Sequence, residues 1–318
     1  MDAIDARRLA RSHLDERAPL GAVLDVTRDI LGLHAQLPTT PALSLAARVE
    51  GVSRAVVDDL LWTRRALVKG NTIRGTLHLQ TPEDFVLWKS AYEPRWRTEP
   101  WLRWQELTLR DAQGLREAVL AALDEPRTRA EIGDAVGGAF GERIATDSWG
   151  HLLSPANDDV CHGPPRGRNV TFVRADVWLP GFRHVDRLEA LQQLVDRYVH
   201  TYGPAERAEI EHWLAAPLPR EVAVPGAGAF PEARPQGIRL LPHYDVYVIA
   251  CHPRDRLIPE HRERIFHRGA GPQPALLVDG RVRGTWSRKT GVEPWIRLTA
   301  AQRAEVDAEL ERARAALR

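Results

Sequence analysis

The apolar residues Leu20, Val23, Leu24, Val26, Ile30, Leu31 and Leu33 recur at helical spacing and predict one buried helix over 20–33, which Pro38 and Pro41 keep from continuing. The same periodicity predicts helices over 5–13 and 53–65, the latter opened by Ser53 as N-cap. Residues 66–79 alternate instead, as a hairpin turning near Lys69, Gly70, Asn71 and Thr72. Thr81 and Pro82 open a further helix that carries Phe85, Val86 and Trp88 inward. Helices followed by a short hairpin make a winged-helix pattern, and it recurs.

In a second module, helices are expected over 109–123 and 130–136, with Thr128 as cap, and over 144–153. A turn rich in Gly, Pro and Arg follows at 162–169, and then a strand over 170–173. In a third, helices over 188–200 and 205–214 precede a Pro, Gly and Ala-rich connection at 215–237. A β-type run over 238–249, a hairpin over 275–286 closed on Asp279 and Gly280, and a helix over 299–317 complete it. The fold class expected is α+β, with winged-helix modules at 1–105 and 106–183 and a third with a β-rich C-terminal part at 184–318.

Composition narrows the classes of function. With 43% hydrophobic and 27% charged residues in 318, the chain reads as a globular protein with ample core. It has no apolar run of about 18 residues and its first residues lack an apolar leader, so a cytoplasmic location away from membranes is expected. Cys161 and Cys251 each precede a histidine, but neither pair has the ligand spacing of a zinc site, so no metal or cofactor is expected. Of the 44 basic residues only Lys69, Lys89 and Lys289 are lysines, and arginine's planar fork suits phosphate. The net charge is only +1, yet residues 254–289 hold nine Arg or Lys against four Asp or Glu, a local excess suited to a phosphate-facing surface. Arg95, Trp96, Arg97, Trp101, Arg103 and Trp104 admit two readings, a stacking platform for bases or ordinary core with a charged rim.

One short stretch carries candidate chemistry. His34 and Gln36 flank the small Ala35 where the predicted helix ends. An imidazole exchanges a proton near neutral pH, and a carboxamide offers one donor face and one acceptor face, so together they can hold a water without a metal. Alone, such a pair is also what a helix end and its solvated neighbour look like.

Around that pair stand Leu31-Gly32-Leu33-His34-Ala35-Gln36 with Leu45-Ala46-Ala47-Arg48-Val49, then Arg74-Gly75-Thr76-Leu77-His78-Leu79 and Gly163-Pro164-Pro165-Arg166-Gly167-Arg168. Tyr202-Gly203-Pro204-Ala205, Leu240-Leu241-Pro242-His243-Tyr244-Asp245 and Leu277-Val278-Asp279-Gly280-Arg281 with Gly284-Thr285-Trp286 follow in order. This series resembles the landmarks of the AlkZ-type winged-helix DNA glycosylases, with His-Ala-Gln where the family more often has Gln, an apolar residue and Gln.

The resemblance implies three tandem winged helices in a C-shaped arrangement holding duplex DNA, and a monofunctional enzyme that hydrolyses the N-glycosidic bond of N7-alkylated purines. Bulky genotoxin–guanine adducts are the implied lesions, with self-resistance or crosslink unhooking as the role. It makes His34 and Gln36 the catalytic pair. Gln36 would hold the attacking water and face the developing cation while neutral His34 accepts the proton. No lysine stands in the motif to form an imine. Arg74, His78, Arg166, Arg168, Arg281 and Arg283 are the expected DNA contacts, the partner is double-stranded DNA carrying alkylated bases, and a monomer is expected. Asp245 is open to two roles, a structural partner for an arginine or an orienter of His34. The alternative class is a non-catalytic winged-helix DNA-binding protein or transcriptional regulator, which would prefer sequence over damage.

Overall fold

A computed structural model describes residues 3–93, 95–147, 150–228, 237–267 and 271–318. The chain forms two compact units, one from Met1–Leu67, Ile73–Thr81 and Leu191–Arg318, the other from Val68–Thr72 and Pro82–Ala190.

In the first unit the helix Ala3–Arg11 precedes a single 3-10 turn, Leu20–Ala22, that runs into the helix Val23–Asp29. This helix is shorter than its hydrophobic spacing predicts. Leu31 and Gly32 adopt left-handed backbones, φ 65° and 107°, and the Gly32 amide bonds back to the Thr27 carbonyl at 2.9 Å, closing the helix. Gly32 is required there twice over, because a Cβ would also lie 2.8 Å from Gln80 Cγ. Released from the helix, Leu33–His34 becomes a strand antiparallel to Leu77–Gln80, with Leu33 opposite Leu79 and His34 opposite His78. His34 therefore sits on a sheet rather than at a helix end.

Pro41 does not merely stop a helix; it lies in the first turn of the next one, Thr40–Ala46, where its missing N–H costs nothing. Ser53 caps the helix Arg54–Asp58 through the Val56 amide, as its position predicts, and a π-helical turn, Asp59–Thr63, continues it. Val26, Ile30, Leu33, Leu45, Leu60 and Leu79 bury one another beneath the strand pair. Four antiparallel strands, Ile238–Leu241, Ala275–Val278, Arg281–Ser287 and Gly291–Pro294, form the C-terminal sheet. The helix Ala300–Ala315, capped by Thr299 with Gln302, packs Val306 and Ala313 into the core of that sheet beside Ile238, Leu276 and Trp286. The expected β-run over 238–249 stops at Leu241, because Pro242 ends it and Asp245 caps a short helix, Val246–Ala250, by accepting the Tyr247 amide.

The second unit holds the helices Pro82–Ala91, Leu109–Ala121, Arg129–Val136 and Gly138–Thr146 and a 3-10 segment His151–Asp159. The helix expected over 144–153 is thus displaced toward the N-terminus, and residues 148 and 149 lie outside the described residues. Thr128 caps the helix Arg129–Val136 as anticipated, and Glu131 completes a capping box with it. Gly133 and Gly141 let two helices meet backbone to backbone, since a Cβ on Gly133 would stand 2.5 Å from the Gly141 carbonyl. The hairpin Val160–Arg166 and Asn169–Arg174 turns on Gly167, and Arg127–Thr128 adds a third strand. Lys69 and Asn71 belong to the strand Val68–Asn71 rather than to a turn; the bend comes later, at Ile73–Gly75, where Arg74 and Gly75 are left-handed.

Candidate functional site

The strand pairing sets His34 against His78, and the two rings meet edge to face with centroids 5.0 Å apart. A bond from the Ala35 amide to the Leu77 carbonyl, 2.7 Å, holds the register beyond them. Tyr244 closes the other side of the His34 imidazole, stacked 4.4 Å away with planes 11° apart. His34 is 4% exposed and His78 3%, whereas Gln36, two residues further on, is exposed.

Tyr244 reaches His34 by a strained route. Its backbone is left-handed, φ 59°, and its amide bonds to the Pro272 carbonyl at 3.1 Å. Gly271 leaves room for the ring, since a Cβ there would lie 2.2 Å from Tyr244 Cε1. The next residue anchors the turn. Asp245 takes two bonds from the Arg48 guanidinium, 2.6 and 2.9 Å, and one from the Ser44 hydroxyl, 2.7 Å, with both charged side chains fully buried. Complete burial opposes the Arg48 charge, but Asp245 holds its pKa above the ordinary value. Of the two roles open to Asp245, the arginine partnership is the one its contacts display. The hydroxyl groups of Thr201 and Tyr202 donate to the carbonyls of Asp29 and Ile30, tying down the residues where the chain leaves the helix.

Electrostatics follow from this burial. Burial alone lowers the His34 pKa to about 4, and burial with the neighbouring His34 lowers that of His78 to about 3. Both imidazoles are neutral at pH 7. The His78 ring donates from Nδ1 to the Thr76 carbonyl at 3.0 Å, and the Gln36 amide donates to His34 Nδ1 at 3.4 Å. A neutral His34 receiving that bond carries its hydrogen on Nε2, which has no hydrogen-bond partner among the described residues. The site thus presents a fixed, uncharged imidazole beside an exposed carboxamide.

The expected DNA contacts are scattered. Arg74 donates to the His212 carbonyl at 3.1 Å, and His78 is the buried partner of His34. In the second unit Arg166 is braced on Glu131 at 2.5 Å and on the Pro126 carbonyl, while Arg168 is exposed at the hairpin tip with no partner among the described residues. Arg281 faces Asp5 at 3.3 Å and Arg283 faces Glu260 at 3.5 Å. Trp96 is buried and Trp104 is exposed with its ring against His151, so the Trp and Arg stretch divides between core and surface. Arg268 of the basic run lies outside the described residues.

Among the described residues no cluster of three or more metal-ligating side chains occurs, and no helix is long and apolar enough to cross a membrane. Cys161 and Cys251 are buried free thiols. Tyr244 is the residue that sequence reasoning passed over. Its signal was Asp245 after Pro242, a cap pattern inside an apparent strand.

Comparison with known proteins places this geometry in context. The model of the AlkZ-like DNA glycosylase family matches residues 27–316. An interstrand DNA cross-link repair glycosylase of Streptomyces sahachiroi is 29% identical, across 88% of this chain and 86% of its own. The structure of the Streptomyces sahachiroi DNA glycosylase AlkZ superposes with a TM-score of 0.85 at 25% identity, covering 99% of this chain and 96% of that one. The protein belongs to the AlkZ-like DNA glycosylase family.

Proposed function

We propose that the protein is a monofunctional DNA glycosylase that hydrolyses the N-glycosidic bond of N7-alkylated purines in duplex DNA, bulky genotoxin–guanine adducts foremost, unhooking crosslinks or conferring self-resistance. The observation that carries this is a neutral imidazole, held between Tyr244 and His78, next to the exposed Gln36 in a chain of this family. Along the chain we read three winged-helix modules bounded at 1–105, 106–183 and 184–318, acting on DNA as a monomer in the cytoplasm. The helix, helix, helix and hairpin order of residues 109–174 supports this most directly.

N7 alkylation places a positive charge on the purine, so the base leaves without strong protonation. The sugar then becomes cationic, and water must be delivered to its C1′ carbon. In this proposal Gln36 offers its amide oxygen to a hydrogen of that water and to the developing cation. His34, too weak a base at about 4 to remove a proton early, orients the water by donating from Nε2 and adds no positive charge beside the cation, and the proton released as the C1′–O bond forms passes to solvent. Arg166 acts as a brace for the hairpin, and Arg168 touches the DNA backbone from its tip. Arg74, Arg281 and Arg283 approach phosphates, and His78 supports His34.

The test is to incubate the protein with duplex DNA carrying N7-methylguanine or a bulkier N7 adduct and to measure free base and abasic sites. Release in a single turnover is expected. No release from any N7 adduct at enzyme excess would overturn the proposal.

A further inference from the structure

The arginines of the basic run differ in how they are neutralised. Arg256 and Arg281 face Asp5, Arg262 faces Asp255, Arg264 faces Glu293 and Arg283 faces Glu260. Arg254 has no carboxylate among the described residues. Its guanidinium lies 4.2 Å over the Phe266 ring, and its Nη2 stands 3.2 Å from His212 Nε2. An arginine only donates, so that imidazole nitrogen accepts and His212 is neutral. The His252 ring meets His212 edge to face at 5.0 Å, and its Nε2 is buried without a hydrogen-bond partner. Arg74 adds a second guanidinium through its bond to the His212 carbonyl.

A proton on either imidazole would be repelled by these guanidinium groups. Burial lowers the His252 pKa to about 4, with Arg254 the largest neighbouring cause, and His212 is lowered by burial and then by Arg254, Arg74 and Arg262. No carboxylate stands among those causes; Asp255, paired with Arg262, is the acid in contact with the group. Concentrated like charge of this kind is relieved by an anion from outside.

We infer that Arg254, together with Arg74, forms a niche for a phosphate of the DNA backbone, with His212 and His252 as its neutral floor. This rests on the proposed function for the identity of the ligand. Phosphate suits the site because two guanidinium groups, those of Arg74 and Arg254, both contact His212, and a phosphodiester supplies acceptor oxygens to each. Arg74 lies four residues before His78, so the niche is connected by a short strand to the candidate catalytic pair.

The experiment measures duplex affinity against salt concentration for the full chain, Arg254→Gln and Arg254→Lys. One lost phosphate contact lowers the magnitude of the logarithmic salt slope by about 1, for damaged and intact DNA alike, and Arg254→Lys should retain it. In parallel, the imidazole nitrogen-15 signals of His212 and His252 in the unaltered protein are followed while a short duplex, or inorganic phosphate, is added. The duplex should shift both. An unchanged slope in a folded Arg254→Gln, or histidine signals that move with inorganic phosphate but not with duplex, would overturn the niche. Base release by the unaltered protein is scored separately, so loss of the glycosylase reading and loss of the niche are distinguishable.

Discussion

Tyr244 lies flat on the His34 imidazole, 4.4 Å from it and 11° from parallel, although 210 positions separate the two in the chain. The stack fixes the plane of the ring while His78 fixes its edge. Removing the aromatic face in Tyr244→Ala should therefore slow base release by about 10²-fold through misplacement of His34, with little change in DNA affinity. Tyr244→Phe, which keeps the face, should remain near the parent rate in the same single-turnover assay.

His34 and Gln36 act on the transition state in the proposal, not on affinity. Replacing both by Ala should abolish release while duplex binding, measured by fluorescence anisotropy, stays within about twofold. Collapse of binding along with release would reassign the pair to recognition.

The Arg48–Asp245 pair is fully buried and carries the turn that presents Tyr244. Asp245→Ala leaves an uncompensated guanidinium in the core and should cost about 3–5 kcal/mol in chemical denaturation. Because the pair sits behind the site, a smaller change such as Ser44→Ala should reduce stability by about 1 kcal/mol through one lost hydrogen bond, with release nearly intact.

Three buried histidines and the half-buried His252 set the acid response. His34 and His252 are lowered from 6.5 to about 4, and His78 and His162 to about 3. In the unfolded chain each takes up a proton near 6.5, whereas the folded chain resists until pH 4 to 3, so the unfolded state binds more protons across that interval. The histidine contribution to stability should be level above pH 6.5 and decline as pH falls from 6.5 toward 3, as thermal unfolding at a series of pH values across that interval will show. Base release should likewise lack a histidine limb near 6.5, since His34 stays neutral there.

Much of the local structure was legible along the chain. Ser53 and Thr128 cap the helices their positions announce, and the C-terminal hairpin turns at Asp279 and Gly280 as its alternation requires. These features depend on neighbours within a few residues, and sequence displays such neighbours directly. The ordered blocks around His34 and Gln36 likewise pointed to the family that the comparisons establish.

What depended on distant partners was not legible. The helical spacing of 20–33 is real, but Gly32 and the strand 77–80 draw Leu33 and His34 onto a sheet. The apolar run at 238–249 looks uniformly β until Asp245 meets Arg48, nearly 200 positions away, and becomes a helix cap. By itself the sequence determined the locally capped helices, the C-terminal hairpin, the family and the two side chains with candidate chemistry. Tertiary structure alone decided that the histidine is buried, neutral and clamped between two rings, because its desolvation and its neighbours come from segments that only folding brings together.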